Sequence, residues 1–200
     1  MITAAILTGG NSDRMGQDKA LMPFLGRPLI LRVLDRISPI AGEVILSTNR
    51  PEEYAFLDLP LYPDLQPGHG ALGGLYTALK AAKYPFVAAV ACDMPFVNPG
   101  LFEFELDVLS KTDADVAIPS TPEGMEPLHA VYRRETCLAV VKSALDAGRL
   151  KLVGWLPEVN IRIVPPEETA QFDPQGLAFW NLNTPEEFRQ AEERARLEKN

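Results

Sequence analysis

Cysteine is scarce in this chain of 200 residues, with only Cys92 and Cys137. The two lie far apart and match no metal or redox spacing, which argues against a disulfide framework and for a reducing compartment. Histidine is as rare. His69 reads as a loop residue. His129 has no second histidine or carboxylate at metal-ligand spacing and reads as a strand or pocket-lining residue. Long apolar runs are missing: Phe86–Cys92, the longest, is too short to span a bilayer. Met1–Leu7 lacks the basic leader and long apolar stretch of a signal peptide. Basic charge is in deficit, 19 Lys+Arg against 27 Asp+Glu, for a formal charge of −8. That sign disfavours nucleic acid and anionic membranes as partners. Membrane, secreted, fibrous and disordered classes are set aside, and a cytoplasmic location is expected.

What is present is an ordinary soluble balance, 46% hydrophobic and 23% charged. A chain of this length fits one compact domain, two small ones at most, and buries roughly 70% of its unfolded surface. The acidity is uneven. Residues 1–100 carry 8 basic and 9 acidic side chains, and residues 101–200 carry 11 and 18. From Gly9 to Arg36, five cations (Arg14, Lys19, Arg27, Arg32, Arg36) face Asp13, Asp18 and Asp35, so the first quarter is locally basic.

Periodicity predicts alternating strands and helices. Strands are expected over Ile2–Leu7, Glu43–Ser47, Leu61–Tyr62, Phe86–Ala91, Val116–Ile118, Ala130–Tyr132, Ile161–Val164 and Phe179–Leu182. Helices are expected over Pro28–Ile37, Glu52–Leu57, Gly74–Ala82, Pro99 to about Leu109, Glu135–Ala147 and Pro185–Leu197. Unalternating apolar strands suit a parallel sheet covered on both faces. The alternation predicts an α/β fold, a three-layer α/β/α sandwich with a mainly parallel sheet.

Three segments carry candidate chemistry. In Leu7–Lys19 (LTGGNSDRMGQDK), paired glycines after the first strand let backbone N–H groups approach a phosphate. Arg14 adds a planar fork and Lys19 a point charge for a di- or triphosphate. Walker A spacing is missing. The alternative is an ordinary strand-to-helix turn, but three glycines with two cations favour an anion site. Gly68–Gly73 matches G-x-G-x-x-G, with Asp93 twenty residues on. Yet Asp64–Pro67 separates it from its strand, where a dinucleotide fingerprint wants a direct junction. Cys92–Phe96 places Asp93 at the end of an apolar strand, where open α/β sheets bind ligands and where Mg²⁺ is held by one or two carboxylates plus phosphate oxygens. A capping role in the next turn fits that position equally well. Asn183 offers a neutral oxygen ligand, but Thr184, Pro185 and Glu187 explain that turn locally as a helix start.

Together these segments resemble the molybdenum cofactor guanylyltransferase (MobA) family of nucleotidyltransferases. Leu7–Lys19 is the most specific part. Ser47–Arg50, Tyr62–Asp64, Gly70–Gly74, Cys92–Pro95, Glu126–Tyr132 and Asn181–Glu187 support it, and the likeness runs from Ile2 to about Glu187. The resemblance implies a Rossmann-like nucleotidyltransferase sheet forming one domain over residues 1–200, nucleotide-binding mainly in 1–100 and acceptor-binding mainly in 101–200. It implies transfer of GMP from GTP to the phosphate of molybdopterin, with release of pyrophosphate. It assigns the nucleotide to the backbone of Leu7, Thr8, Gly9 and Gly10 and to Asn49 and Asp64. Arg14 and Lys19 take the triphosphate, Asp93 and Asn183 take Mg²⁺ (Mn²⁺ as the alternative), and Arg149 takes the pterin phosphate. Transient contact with other molybdenum cofactor proteins belongs to the same expectation. Thr8 stands where Ala is commoner, and Ala71 and Gly73 stand where Pro and Ala are frequent. A cytidylyl- or sugar-phosphate nucleotidyltransferase, or a non-catalytic nucleotide-binding protein, are the competing readings.

Overall fold

The computed structural model describes residues 1–8 and 18–198. Its strands are β1 (Thr3–Leu7), β2 (Pro23–Phe24), β3 (Arg27–Pro28), β4 (Glu43–Ser47), β5 (Leu61–Tyr62), β6 (Phe86–Ala91), β7 (Val116–Thr121), β8 (Gly124–Met125), β9 (His129–Arg133) and β10 (Ile161–Val164). Its α-helices are α1 (Leu29–Ile37), α2 (Pro51–Tyr54), α3 (Gly70–Ala81), α4 (Pro99–Lys111), α5 (Arg134–Asp146), α6 (Pro166–Thr169) and α7 (Pro185–Leu197).

An eight-stranded sheet runs in the order β10-β7-β9-β6-β1-β4-β5, with β8 paired to β7. Pairing is parallel from β6 through β1 and β4 to β5, and again between β7 and β10. β9 is antiparallel to both of its neighbours, β6 and β7. β2 and β3 form a separate hairpin.

The two apolar faces of β1 explain the layers. Ala5 and Leu7 pack with Leu72, Leu75 and Leu79 of α3 and with Cys137, Val141 and Leu145 of α5. Ile2, Ala4 and Ile6 pack with Ile30, Val33 and Ile37 of α1 and Phe102 and Leu109 of α4. A strand buried on both sides has no polar face to alternate, which is why the residues of Thr3–Leu7 are all buried. A third cluster seats Phe188, Ala191 and Ala195 of α7 on Phe24, Leu29, Phe96 and Leu182.

Strand order places the ligand crevice. From β1 the chain proceeds outward to β4 and β5, then returns to the opposite side of β1 as β6. The reversal lies between β1 and β6, and in open sheets ligands bind past the strand ends at such a point. The segments leaving β1 and β6 carry Lys19 and Asp93.

One expected strand is absent. Phe179–Leu182 is irregular, although Phe179, Trp180 and Leu182 are apolar. Its hydrophobes fill space rather than a ladder: Leu182 is buried in the third cluster, and Phe179 meets the His129 ring edge-on at 5.3 Å between centroids. Helix α3 starts four residues earlier than periodicity predicts, because its first turn, Gly70–Gly73, holds two glycines, which are poor helix formers. That turn is the segment matching G-x-G-x-x-G.

Candidate active site

Three side chains meet at the reversal point. Lys19 Nζ donates to Asn183 Oδ1 at 2.6 Å and lies 3.5 Å from Asp93 Oδ2. Each is held by a different element. Lys19 opens a single 3₁₀ turn, Lys19–Leu21. Asp93 follows β6, whose exit is tied to β1 by Cys92 N–H donating to Leu7 O at 3.2 Å. Asn183 precedes α7, and its segment is pinned to the same loop by Leu182 N–H donating to Asp93 O at 3.0 Å.

Asn183 also sits beside a complete helix start. Thr184 and Glu187 form a capping box, and Glu187 Oε2 accepts the N–H groups of Asn183 at 2.6 Å and Thr184 at 2.7 Å. The local capping explanation of this turn is therefore right, and it does not exclude the longer-range role: the cap fixes the backbone from which Asn183 reaches Lys19.

Burial raises the Asp93 carboxyl above its usual range, and Lys19 opposes that by favouring the charged form. Cys92 lies beside it. Burial and the neighbouring Asp93 and Asp18 carboxylates push its thiol well up, so it remains a thiol and a poor nucleophile.

A second pair closes the opposite side of β1. Asn49 Nδ2 donates to Asp64 Oδ2 at 2.9 Å, and Asp64 N–H donates back to Asn49 Oδ1 at 2.9 Å. Ser47 Oγ, at the end of β4, donates to Asp64 Oδ1 at 3.1 Å. Thr8 donates through both its N–H (3.1 Å) and its hydroxyl (3.0 Å) to Ser47 O, fixing the backbone as it leaves β1. Thus Leu7 ends β1, and Thr8, Asn49 and Asp64 lie just past the ends of adjacent parallel strands, as Asp93 does.

Gly9, Gly10 and Arg14 lie outside the described residues. Arg149 is elsewhere. It follows the left-handed Gly148 (φ +70°) that ends α5, and its guanidinium pairs with Glu158. Among the described contacts none joins it to Lys19, Asp93 or Asn183. His129 is fully buried on β9, stacked on Phe102 at 4.0 Å and away from these groups.

Two participants are not evident from sequence reasoning. Ser47 reads as the last residue of an apolar strand and the first of a segment shared with the family, with no role of its own. Asp18 reads as one of three anions among the cations of the first quarter. Its signal is its place directly before Lys19.

A divalent cation is compatible with this donor set. Asp93 and Asn183 turn one carboxylate and one amide oxygen toward a single cationic nitrogen, and hard cations take such oxygens. Among the described residues no group of three or more His, Cys, Asp or Glu is placed to hold a metal.

Comparison with known proteins decides the family. Residues 4–159 match the MobA-like NTP transferase domain. The chain belongs to the MobA-like NTP transferase family. A probable molybdenum cofactor guanylyltransferase of Peptoclostridium acidaminophilum is 34% identical over 193 residues, covering 94% of this chain and 87% of the relative. The molybdenum cofactor guanylyltransferase of Desulfosudis oleivorans is 33% identical over 192 residues, covering 96% and 94%. The crystal structure of molybdopterin-guanine dinucleotide biosynthesis protein A from Archaeoglobus fulgidus superposes with a TM-score of 0.85 at 28% identity, covering 98% of this chain and 99% of that one. A cytidylyltransferase from Thermus thermophilus, at 18% identity and TM-score 0.66, shares the fold. As a MobA-like transferase the chain is a nucleotidyltransferase, and no described helix is long and apolar enough to cross a membrane.

Proposed function

We propose that this enzyme transfers GMP from GTP to the phosphate of molybdopterin. An acceptor phosphate oxygen bonds to the α-phosphorus of GTP, the bond from that phosphorus to the α,β-bridging oxygen breaks, and pyrophosphate leaves. The nucleophile is already an oxyanion, so no serine or cysteine is needed. This fits a site whose one cysteine is held as a thiol.

The difficulty is electrostatic: two anionic substrates must be brought together and charge must be stabilised on the leaving pyrophosphate. Lys19 supplies a fixed cation at the strand reversal, where a preorganised charge acts most strongly. Arg14, in the same basic segment, adds a second one to the triphosphate. Asp93 and Asn183 hold Mg²⁺, or Mn²⁺ in its place, which when bound neutralises phosphate charge and polarises the α-phosphate. Asn49 and Asp64, locked to each other, hold the guanosine end. The backbone of Leu7 through Gly10 runs along the nucleotide. In-line placement of the two phosphates provides much of the rate. Arg149 contacts the pterin phosphate.

The observation that carries this reading is the convergence of Lys19, Asp93 and Asn183 past the ends of β1 and β6, in a chain similar over nearly its full length to named guanylyltransferases. The test is nucleotide choice. Purified enzyme with molybdopterin and Mg²⁺ is given GTP, CTP or ATP in parallel, and pyrophosphate and the dinucleotide product are followed. GTP-dependent product is expected. Preference for CTP would transfer the reading to a cytidylyltransferase. Tight GTP binding with no turnover would make the protein a non-catalytic binder.

A further inference from the structure

We propose that Asp18 is a positioning residue for Lys19, and that through Arg50 it holds the phosphate-side cation in register with the base-side loop carrying Asn49. This rests on the reading of Lys19 as the group that meets the triphosphate.

Asp18 is only 7% exposed. Its two oxygens do different work. Oδ1 accepts Ala20 N–H at 3.0 Å and so caps the turn from which Lys19 projects. A 3₁₀ turn of three residues is too short to be stable alone, so its position must be imposed from outside. The buried Ala20 methyl imposes part of it. The cap itself needs one oxygen.

Oδ2 accepts Arg50 Nη2 at 2.5 Å and the Tyr54 hydroxyl at 2.6 Å. Neither donor is needed to cap the Lys19 turn. They come from 32 and 36 residues along the chain, in and just before α2. Tyr54 is fully buried, and burial together with its bond to Asp18 raises its phenol, so the hydroxyl stays a donor. Arg50 is itself oriented by Glu53, 3.3 Å from Nη1, and its N–H donates to Thr48 Oγ1 at 3.2 Å.

The result is a continuous path across the site made of polar contacts and two peptide links. Asp64 locks Asn49, and Asn49 is bonded in sequence to Arg50. Arg50 grips Asp18, and Asp18 is bonded in sequence to Lys19, which reaches Asn183 and Asp93. A buried carboxylate is a weak source of stability compared with an apolar side chain of the same size. Its contribution here is geometric: it fixes where the Lys19 turn sits relative to the Asn49 loop. A displacement of about 1 Å of a catalytic cation costs on the order of 10²-fold in rate.

The experiment is a double-mutant cycle between Asp18→Asn and Lys19→Ala in the whole enzyme, reading kcat, KM for GTP and Tm. Asn keeps the size of Asp18 and an oxygen for the cap, but removes the charge that Arg50 grips. The expected result is a fall in kcat of roughly 10-fold to 10²-fold for Asp18→Asn alone, with KM for GTP little changed. In the Lys19→Ala background the same change is expected to alter kcat by less than about twofold, because the cation it positions is gone. Equal losses in both backgrounds would overturn the proposal, since a merely structural defect adds to any other. Should Asp18→Asn lower Tm enough to unfold the chain, Arg50→Gln, which removes the cation that grips Asp18 and leaves its cap on Ala20 N–H in place, is carried through the same cycle with the same criterion. Wild-type turnover by Lys19→Ala alone would instead overturn the underlying reading of Lys19, and this proposal with it.

Discussion

Lys19 Nζ and Asn183 Oδ1, 2.6 Å apart, join residues separated by 164 positions in the chain. The contact brings the turn after the first strand against the turn before the last helix, and Asp93 lies 3.5 Å from the same nitrogen. The site is therefore assembled from both ends of the sequence around one cation.

Removing that cation should leave the fold standing and slow the chemistry. Lys19→Ala is expected to lower kcat roughly 10²-fold, the usual loss when one preorganised stabilising group is deleted. Its Tm should stay near that of the wild type, because the side chain is partly exposed. Steady-state kinetics with a parallel melting curve check both. Unchanged kcat would remove Lys19 from the mechanism.

The helix start behind Asn183 is separable from the chemistry. Thr184→Ala deletes the side-chain half of the capping box and is expected to cost about 1 kcal/mol of stability. Urea unfolding reads this directly. Activity should fall less than in Lys19→Ala, because Glu187 still accepts the N–H of Asn183.

Stability should have a plateau in pH set by a buried pair remote from Lys19. Glu105 and His129 are both fully buried, with Nδ1 and Oε1 3.4 Å apart. Burial lowers His129 to about 3 and raises Glu105 well above 4.5, so the folded pair holds one proton. Unfolded, with ordinary values of 6.5 and 4.5, the two also hold about one proton between pH 4.5 and 6.5. Stability is flat in that window. Below 4.5 the unfolded state binds the extra proton, and stability falls with falling pH. Above 6.5 the folded state binds the extra proton, and stability falls with rising pH. Each limb has a slope of up to about 1.4 kcal/mol per pH unit. Glu105→Gln should abolish the alkaline limb and keep an acid one, now starting near 6.5. Chemical denaturation across pH measures it, and an unchanged alkaline limb in that variant would refute the assignment.

Arg149 is expected to act on the acceptor alone. Arg149→Ala should raise KM for molybdopterin about tenfold or more, the value of one charged contact, and leave KM for GTP unchanged. Its half-exposed pairing with Glu158 contributes little to stability, within about 1 kcal/mol. Equal effects on both substrates would contradict the assignment.

Most of the sheet is legible in the sequence because its strands are short apolar runs, those of β1 and β6 buried on both faces. Glu43–Ser47, Phe86–Ala91 and Ile161–Val164 fall at the bounds their composition predicts. The same rule misreads Phe179–Leu182, where apolar residues pack as a loop and no strand among the described residues pairs with them. Hydrophobicity reports burial, and only a ladder makes a strand. The β2–β3 hairpin is missed because its two-residue strands carry prolines. In the site, Lys19 and Asp93 are visible as a charge after a glycine run and a carboxylate at a strand end. Asn183 is legible only through family resemblance, since Thr184 and Glu187 explain its turn locally. Asp18 is hidden because its partners Arg50 and Tyr54 become neighbours only after folding.

The central claim is that Asp93, at the end of β6, holds the divalent cation for nucleotidyl transfer. The most direct measurement is single-turnover transfer of label from α-labelled GTP to molybdopterin, titrated with Mg²⁺, in wild type and Asp93→Ala. Saturable Mg²⁺ dependence is expected in the wild type and a loss of roughly 10³-fold in the variant, with the fold intact by melting. Near-normal transfer by Asp93→Ala at the same Mg²⁺ concentration would contradict it.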